Sequence, residues 1–140
     1  MSKKYKIGYT TGVFDMFHIG HLNILRRAKE QCEYLIVGVT TDELCFARKQ
    51  KYPVIAQAER LAIVEAIRYV DRAVYQSDMN KMNAVKQYGC DVVFVGSDWK
   101  GTPSWNNYEA EFHKLGCDVV YLDHTDGISS TLLRKKIKDE

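Results

Sequence analysis

The chain has 140 residues, 46% hydrophobic and 27% charged, with a formal net charge of +2. That suits a single folded domain spanning residues 1–140 rather than a disordered or fibrous chain. So small a charge excess gives no footing for a nucleic-acid or membrane-surface role, and no apolar run approaches the ~20 residues that cross a bilayer. Residues 1–5 lead into a strand pattern without the apolar stretch of a signal peptide, so the cytoplasm is the expected address. Cys32, Cys45, Cys90 and Cys117 are spaced too widely for a zinc site, and a disulfide framework is not expected.

Apolar strand-like runs alternate with amphipathic segments along the chain. A short strand is predicted at 6–9, a Thr-Thr-Gly turn after it, and a helix over 19–31. Residues 34–40 form a β-branched run with little alternation, the pattern of a strand buried on both faces. The polar stretch 42–58, which carries the basic cluster 48–51 and Pro53, reads as the longest irregular segment and hence as a functional loop. A helix follows over 59–67, with Leu61, Ile63, Val64 and Ile67 as its buried stripe, then a weak strand at 72–75. The next helix, 80–88, ends at Gly89, a C-cap candidate. Residues 92–95 are the clearest buried strand, and a polar excursion over 97–107 leads into a helix ending at Lys114. A last strand at 119–122 precedes a helix over 129–138 with serines at its start. Strand–helix alternation predicts a parallel sheet with helices on both faces. In such sheets ligands bind beyond the carboxyl ends of the strands, so the unusual residues are expected there.

The first such place reads Thr10-Thr11-Gly12-Val13-Phe14-Asp15-Met16-Phe17-His18-Ile19-Gly20-His21. His18 and His21, three apart at a helix start, share one face. Gly20 between them lets a ligand approach the backbone, and the helix N-terminus adds partial positive charge. Two imidazoles at such a terminus suit a phosphate whose charge grows during reaction. A histidine pair can also be structural or ligate a metal, but no third ligand lies nearby in the sequence.

Gly12–Asp15 followed by His18-Ile19-Gly20-His21 resembles the signature of the cytidylyltransferase-like nucleotidyltransferases. The letters His-Ile-Gly-His also match class I aminoacyl-tRNA synthetases, which a chain of this size, with no anticodon-binding region, is not expected to be. Gly127-Ile128-Ser129-Ser130-Thr131-Leu132-Leu133-Arg134 resembles the family's second signature, where a helix start holds triphosphate oxygens; on composition alone Ser-Ser-Thr there is an N-cap. Arg68-Tyr69-Val70-Asp71, with Arg60 upstream, resembles a motif of the glycerol-3-phosphate cytidylyltransferases and their choline- and ethanolamine-phosphate relatives. Gly96-Ser97-Asp98-Trp99-Lys100-Gly101 resembles the loop that meets the cytidine. Two departures bear on the substrate. His124 stands where bacterial glycerol-phosphate enzymes carry arginine, and the segment 102–112 differs from their pattern.

The resemblance implies a cytidylyltransferase that joins CTP to a phosphorylated alcohol, glycerol 3-phosphate being the best single guess, and releases pyrophosphate. His18, His21, Lys49 and Arg134 would serve the chemistry, with Arg48 an alternative to Lys49. Thr10, Thr11, Gly12, Phe14, Gly20, Gly96, Asp98, Trp99, Gly127, Ile128, Ser129, Ser130 and Thr131 would hold the nucleotide, and Arg60, Arg68 and His124 the acceptor. Mg²⁺ would ride mainly on phosphate oxygens, with no protein cage for it, and the working form would be a homodimer. Adenylyl transfer, as in FAD-, NAD- or coenzyme A-forming relatives, and a nucleotide-binding regulatory module without activity are the alternatives. The expected fold is a three-layer α/β Rossmann-like domain, its five-stranded, mainly parallel sheet in the order 3-2-1-4-5, with strands 1 and 4 flanking the cleft.

Overall fold

The structure, a computed structural model, describes residues 4–123. Its element order is β1 (Tyr5–Gly12), α1 (Ile19–Gln31), β2 (Cys32–Thr40), α2 (Asp42–Lys49), α3 (Gln57–Glu65), β3 (Arg72–Gln76), α4 (Lys81–Tyr88), β4 (Val92–Gly96), a 3₁₀ turn (Ser97–Trp99), α5 (Pro103–Lys114) and β5 (Asp118–Leu122). The five strands form one sheet in the order β3-β2-β1-β4-β5, and all four pairings are parallel. The chain thus runs outward from β1 to β3, crosses back, and continues from β4 on β1's other side. The point where strand order reverses lies between β1 and β4, which pair from Gly8–Val92 to Thr10–Phe94.

Alternation within the strands divides the core into two layers. Leu35, Val37 and Val39 face one side and pack with Leu25 and Ala28 of α1 and Val64 of α3. Ile36, Tyr9 and Val93 face the other and pack with Met82 and Val85 of α4 and Trp105 and Phe112 of α5. All four cysteines are buried, and none is joined in a disulfide. Among the described residues no helix is long and apolar enough to cross a membrane.

Two segments expected to be irregular fold further than their composition suggested. Residues 42–49 form α2: Thr41 caps it, its hydroxyl accepting the Leu44 N–H at 3.2 Å. Asp42 and Glu43 in the first turn and Arg48 and Lys49 in the last complement the helix dipole. Its one buried residue is Cys45, so hydrophobic periodicity could not disclose it. The polar excursion after β4 is likewise shorter than expected. Thr102 caps α5 through the Trp105 N–H and Pro103 opens it, the position where the fixed φ of proline favours a helix. The helix expected over 129–138 lies outside the described residues.

Arg60, expected among the acceptor-binding residues, is buried within the scaffold. It is 1% exposed, and its guanidinium ties four chain segments together. Nε donates to Ile55 O at 2.8 Å, Nη1 to Val13 O and Thr40 O at 2.7 Å each, and Nη2 to Asp42 Oδ1 at 2.5 Å. Those carbonyls belong to the α2–α3 loop, the turn after β1 and the end of β2, so Arg60 is a scaffold residue of the cleft. Replacing it removes four hydrogen bonds and leaves buried acceptors without donors. Arg60→Met is therefore expected to destabilise the domain by about 3–5 kcal/mol, read as a lower urea midpoint. A midpoint equal to the parent's would show that the cluster contributes nothing.

Candidate active site

The turn after β1 builds the site. Phe14 and Met16 adopt left-handed conformations, φ 55° and 49°, which side chains with a Cβ disfavour. Between them Asp15 is 2% exposed, and its carboxylate accepts the N–H groups of Val54 and Ile55 at 2.8 Å each. The strained turn is thus pinned to the loop beyond α2. A Cβ at Gly12 would lie 3.0 Å from the Phe14 ring, so glycine there lets that ring fold back over the strand end.

His18 is the N-cap of α1 and forms a reciprocal pair with His21. His18 Nδ1 accepts the Gly20 N–H at 3.0 Å, while the His18 N–H donates to His21 Nδ1 at 3.2 Å. The rings stack, centroids 3.9 Å apart and planes inclined by 19°. A neutral imidazole that accepts at Nδ1 carries its proton on Nε2. Both residues therefore present an Nε2–H donor. Burial, and then the neighbouring His18, push the His21 pKa down to about 4 against a small opposing pull from Asp15; burial lowers that of His18 as well. Both shifts favour the uncharged form of the rings.

A cavity of about 500 Å³ opens at the carboxyl ends of the strands. It brings together Thr10, Thr11, Gly12, Phe14, His21, Lys49, Gly96 and Trp99, eight of the positions singled out in the sequence. Trp99 is 46% exposed, so it is a cavity residue rather than core packing. Thr10 also holds the two central strands together, its hydroxyl donating to Phe94 O at 3.0 Å. His18 is not among the residues lining the cavity but stacks on His21, which is, and Gly20 is buried in the first turn with its N–H committed to His18. Asp98 belongs to the 3₁₀ turn. Arg68 is exposed, its guanidinium over the Tyr69 ring at 5.6 Å, and is not among the cavity residues. Asp71, the last residue of its motif, has a scaffold role, accepting the Leu35 N–H at 2.8 Å and pairing with Lys29. His124, Gly127, Ile128, Ser129, Ser130, Thr131 and Arg134 lie outside the described residues.

Sequence reasoning missed Gln76, Asp78 and Lys81, at and beyond the end of β3, on a second flank of the cavity whose other residues, Ser104, Trp105 and Tyr108 of α5, belong to the segment 102–112 singled out as bearing on the substrate. The first three lie at a strand's carboxyl end, the rule that located the other motifs, but β3 is too weak a pattern to draw attention to the residues beyond it. Arg48, held open as an alternative to Lys49, lines the cavity together with it. Among the described residues no group of three or more His, Cys, Asp or Glu side chains could hold a metal, and Asp78 is the one carboxylate among those lining the cavity. The donor set is cationic and N–H-rich, the chemistry of a phosphate site.

Comparison with known proteins agrees with this geometry. The cytidylyltransferase-like family profile matches residues 9–136. The chain is 37% identical over 129 residues to glycerol-3-phosphate cytidylyltransferase of Bacillus subtilis, covering 91% of this chain and 94% of that one. It is 34% identical over 110 residues to FAD synthase of Archaeoglobus fulgidus, covering 79% of each. In three dimensions it resembles the crystal structure of the lipopolysaccharide core biosynthesis protein from Thermoplasma volcanium, with a TM-score of 0.72 and 27% identity over 86% of this chain and 97% of that one. With the profile spanning most of the chain and the paired histidines at the switch point of a 3-2-1-4-5 sheet, the chain belongs to the cytidylyltransferase-like family of nucleotidyltransferases.

Proposed function

We propose that this enzyme transfers a cytidylyl group from CTP to a phosphorylated alcohol, with glycerol 3-phosphate the leading acceptor, and releases pyrophosphate. The observation that carries the reading is the stacked His18–His21 pair, whose Nδ1 atoms both accept backbone N–H groups, beside a cavity that also holds Arg48, Lys49 and Lys81. The likeness to glycerol-3-phosphate cytidylyltransferase supports the choice of nucleotide and acceptor. So does Met16, where adenylyl-transferring relatives commonly carry proline, together with the Arg68–Asp71 motif.

A phosphomonoester has its second pKa near ~6, so its oxygens are ionised at neutral pH and no general base is required. An acceptor oxygen attacks the α-phosphorus in line, the α–β bridging bond breaks, and pyrophosphate leaves with the electron pair. No proton need move. The task is to bring two anions together and stabilise the charge that builds on the α-phosphoryl oxygens. In this reading the two Nε2–H groups donate to those oxygens. Neutral donors suit the role because they stay in place whether or not the nucleotide is bound. Lys49 meets the reacting phosphates, and Arg48 and Lys81 draw in the acceptor's phosphate. Ser129, Ser130, Thr131 and Arg134 hold the leaving β- and γ-phosphates, Gly127 and Ile128 belong to the same nucleotide-holding signature, and His124 keeps its proposed part in acceptor binding. Arg68 keeps its proposed part in acceptor binding or subunit contact. Mg²⁺ would be held mainly by the triphosphate, with Asp78 the one lining carboxylate that could add a ligand, and would supply neutralisation of phosphate charge. A homodimer comes with the reading, drawn from the family resemblance, and a cytoplasmic address is kept as the expectation from the sequence.

The nucleotide and acceptor are tested together by pyrophosphate release from CTP or ATP with glycerol 3-phosphate or flavin mononucleotide. Turnover with CTP and glycerol 3-phosphate is expected. Turnover confined to ATP and flavin mononucleotide would move the enzyme to the adenylyl branch, on which the FAD synthase relative stands. The histidines are tested by His18→Asn and His21→Asn, because the asparagine side-chain oxygen can replace Nδ1 as a cap acceptor but cannot reach where Nε2–H points. Each variant is expected to keep the parent's thermal midpoint within a few degrees and to lose roughly 10²–10³ in kcat. Parent-like turnover in a folded variant would remove that histidine from the chemistry.

A further inference from the structure

Arg48 and Lys49 reach the cavity from the last turn of α2, and little within that helix holds its end. The helix is 8 residues long and buries only Cys45, so propensity and packing alone leave its last turn prone to fray. It closes on Gln50, in the left-handed region at φ 59°, with the Gln50 N–H donating to Phe46 O at 2.7 Å. A glutamine in that conformation costs more than the glycine that ordinarily closes a helix in this way. Among the described residues neither Arg48 nor Lys49 forms an ion pair. Beyond the turn the chain is fixed again at residues 54–55, by Asp15 and Arg60. Two aromatic rings bridge the gap: Phe46 and Tyr52 stack, centroids 4.6 Å apart and planes inclined by 17°. Pro53 disfavours the helical region for Tyr52, which presets its approach. The rings are 38% and 63% exposed and belong to neither layer of the core, so core burial does not account for the pairing.

We propose that Phe46 and Tyr52 are positioning residues: their stacked rings clasp the end of α2 and hold Arg48 and Lys49 over the cavity, ready for the phosphates that meet there. The proposal rests on the cytidylyl-transfer reading, which gives those two cations their work. Each has a long side chain whose freedom is lost when it engages a phosphate. A frayed backbone beneath them adds disorder that must also be frozen out before charge can build on the α-phosphoryl group. An aromatic pair of this geometry favours its closed arrangement by about 3- to 10-fold beyond burial. That factor is modest beside the chemistry, but it acts on both cations at once. Neither ring is among the residues lining the cavity, so the clasp works through the backbone and not by touching a ligand.

The test pairs amide hydrogen exchange at Gln50 with kcat/KM for CTP, read as pyrophosphate release with glycerol 3-phosphate. The proteins are the parent, Phe46→Ala, Tyr52→Ala, their double variant and Tyr52→Phe. Removing either ring is expected to speed Gln50 exchange about 3- to 10-fold and to lower kcat/KM by a similar factor. Because both rings are exposed, the thermal midpoint is expected to stay within a few degrees of the parent's. The double variant is expected to match the singles, since losing one ring already opens the clasp, and Tyr52→Phe, which keeps the ring, to match the parent. In an Arg48→Met/Lys49→Met background the kinetic effect of Tyr52→Ala is expected to vanish while Gln50 exchange still quickens. A purely structural role would lower kcat/KM there by the same factor. Unchanged Gln50 exchange in Tyr52→Ala, parent-like kcat/KM in that variant, or a kinetic loss of full size in the background without the two cations overturns the clasp and leaves cytidylyl transfer standing. A parent with no turnover on CTP overturns the cytidylyl reading and the positioning role with it.

Discussion

In the first turn of α1 two backbone N–H groups, those of His18 and Gly20, donate to imidazole nitrogens rather than to water or to a serine or aspartate cap. That arrangement performs two tasks with the same atoms. It satisfies donors that every helix start leaves without intrahelical partners, and it settles which nitrogen of each ring carries the proton. A conventional cap would stabilise the helix equally well but would offer no N–H to a ligand. The stacked rings then sit where the helix dipole and the cavity meet. Their uncharged state follows from burial rather than from a partner carboxylate.

Everything around that turn serves to keep it still. Phe14 and Met16 are held in left-handed backbone conformations, each costing of order 1–3 kcal/mol. The compensation is visible in Asp15, which takes two backbone N–H groups of the next loop, and in Arg60, which ties that loop to Val13 and to the end of β2. The same ties set where α2 lies, and with it Arg48 and Lys49 at its C-terminal end. The histidines at the start of α1 and the cations at the end of α2 are therefore positioned by one buried network, so changes at Asp15 or Arg60 reach the cavity without touching a ligand.

The sequence made the sheet legible chiefly through β2 and β4, which are rich in β-branched residues and largely buried, and because the strands are followed by polar or glycine-bearing residues. The histidine pair and the loop after β4 were legible for the same reason. What stayed hidden depended on contacts between distant segments. Arg60 on a helix reads as a surface charge until Val13, Thr40, Asp42 and Ile55 are seen around it. The helix α2 buries only Cys45, so no apolar stripe announced it. Lys81 and Trp105 lie 24 positions apart and meet only because α4 and α5 pack on the same face of the sheet. No local pattern encodes such a meeting.

The proposed chemistry turns on both histidines being neutral Nε2–H donors, and histidine nitrogen NMR reads that state directly. The four histidines of ¹⁵N-labelled protein can be assigned with the asparagine variants and followed from pH 8 to pH 4. A histidine whose pKa is lowered on folding favours its uncharged form. Its contribution to stability is then present above the ordinary value of 6.5 and is lost as pH falls towards the folded value. His18 and His21 are expected as Nε2–H tautomers at pH 7, with His21 uncharged until the pH nears about 4. A proton on Nδ1 of either ring, or a His21 midpoint near 6.5, would contradict that assignment and the donor role built on it.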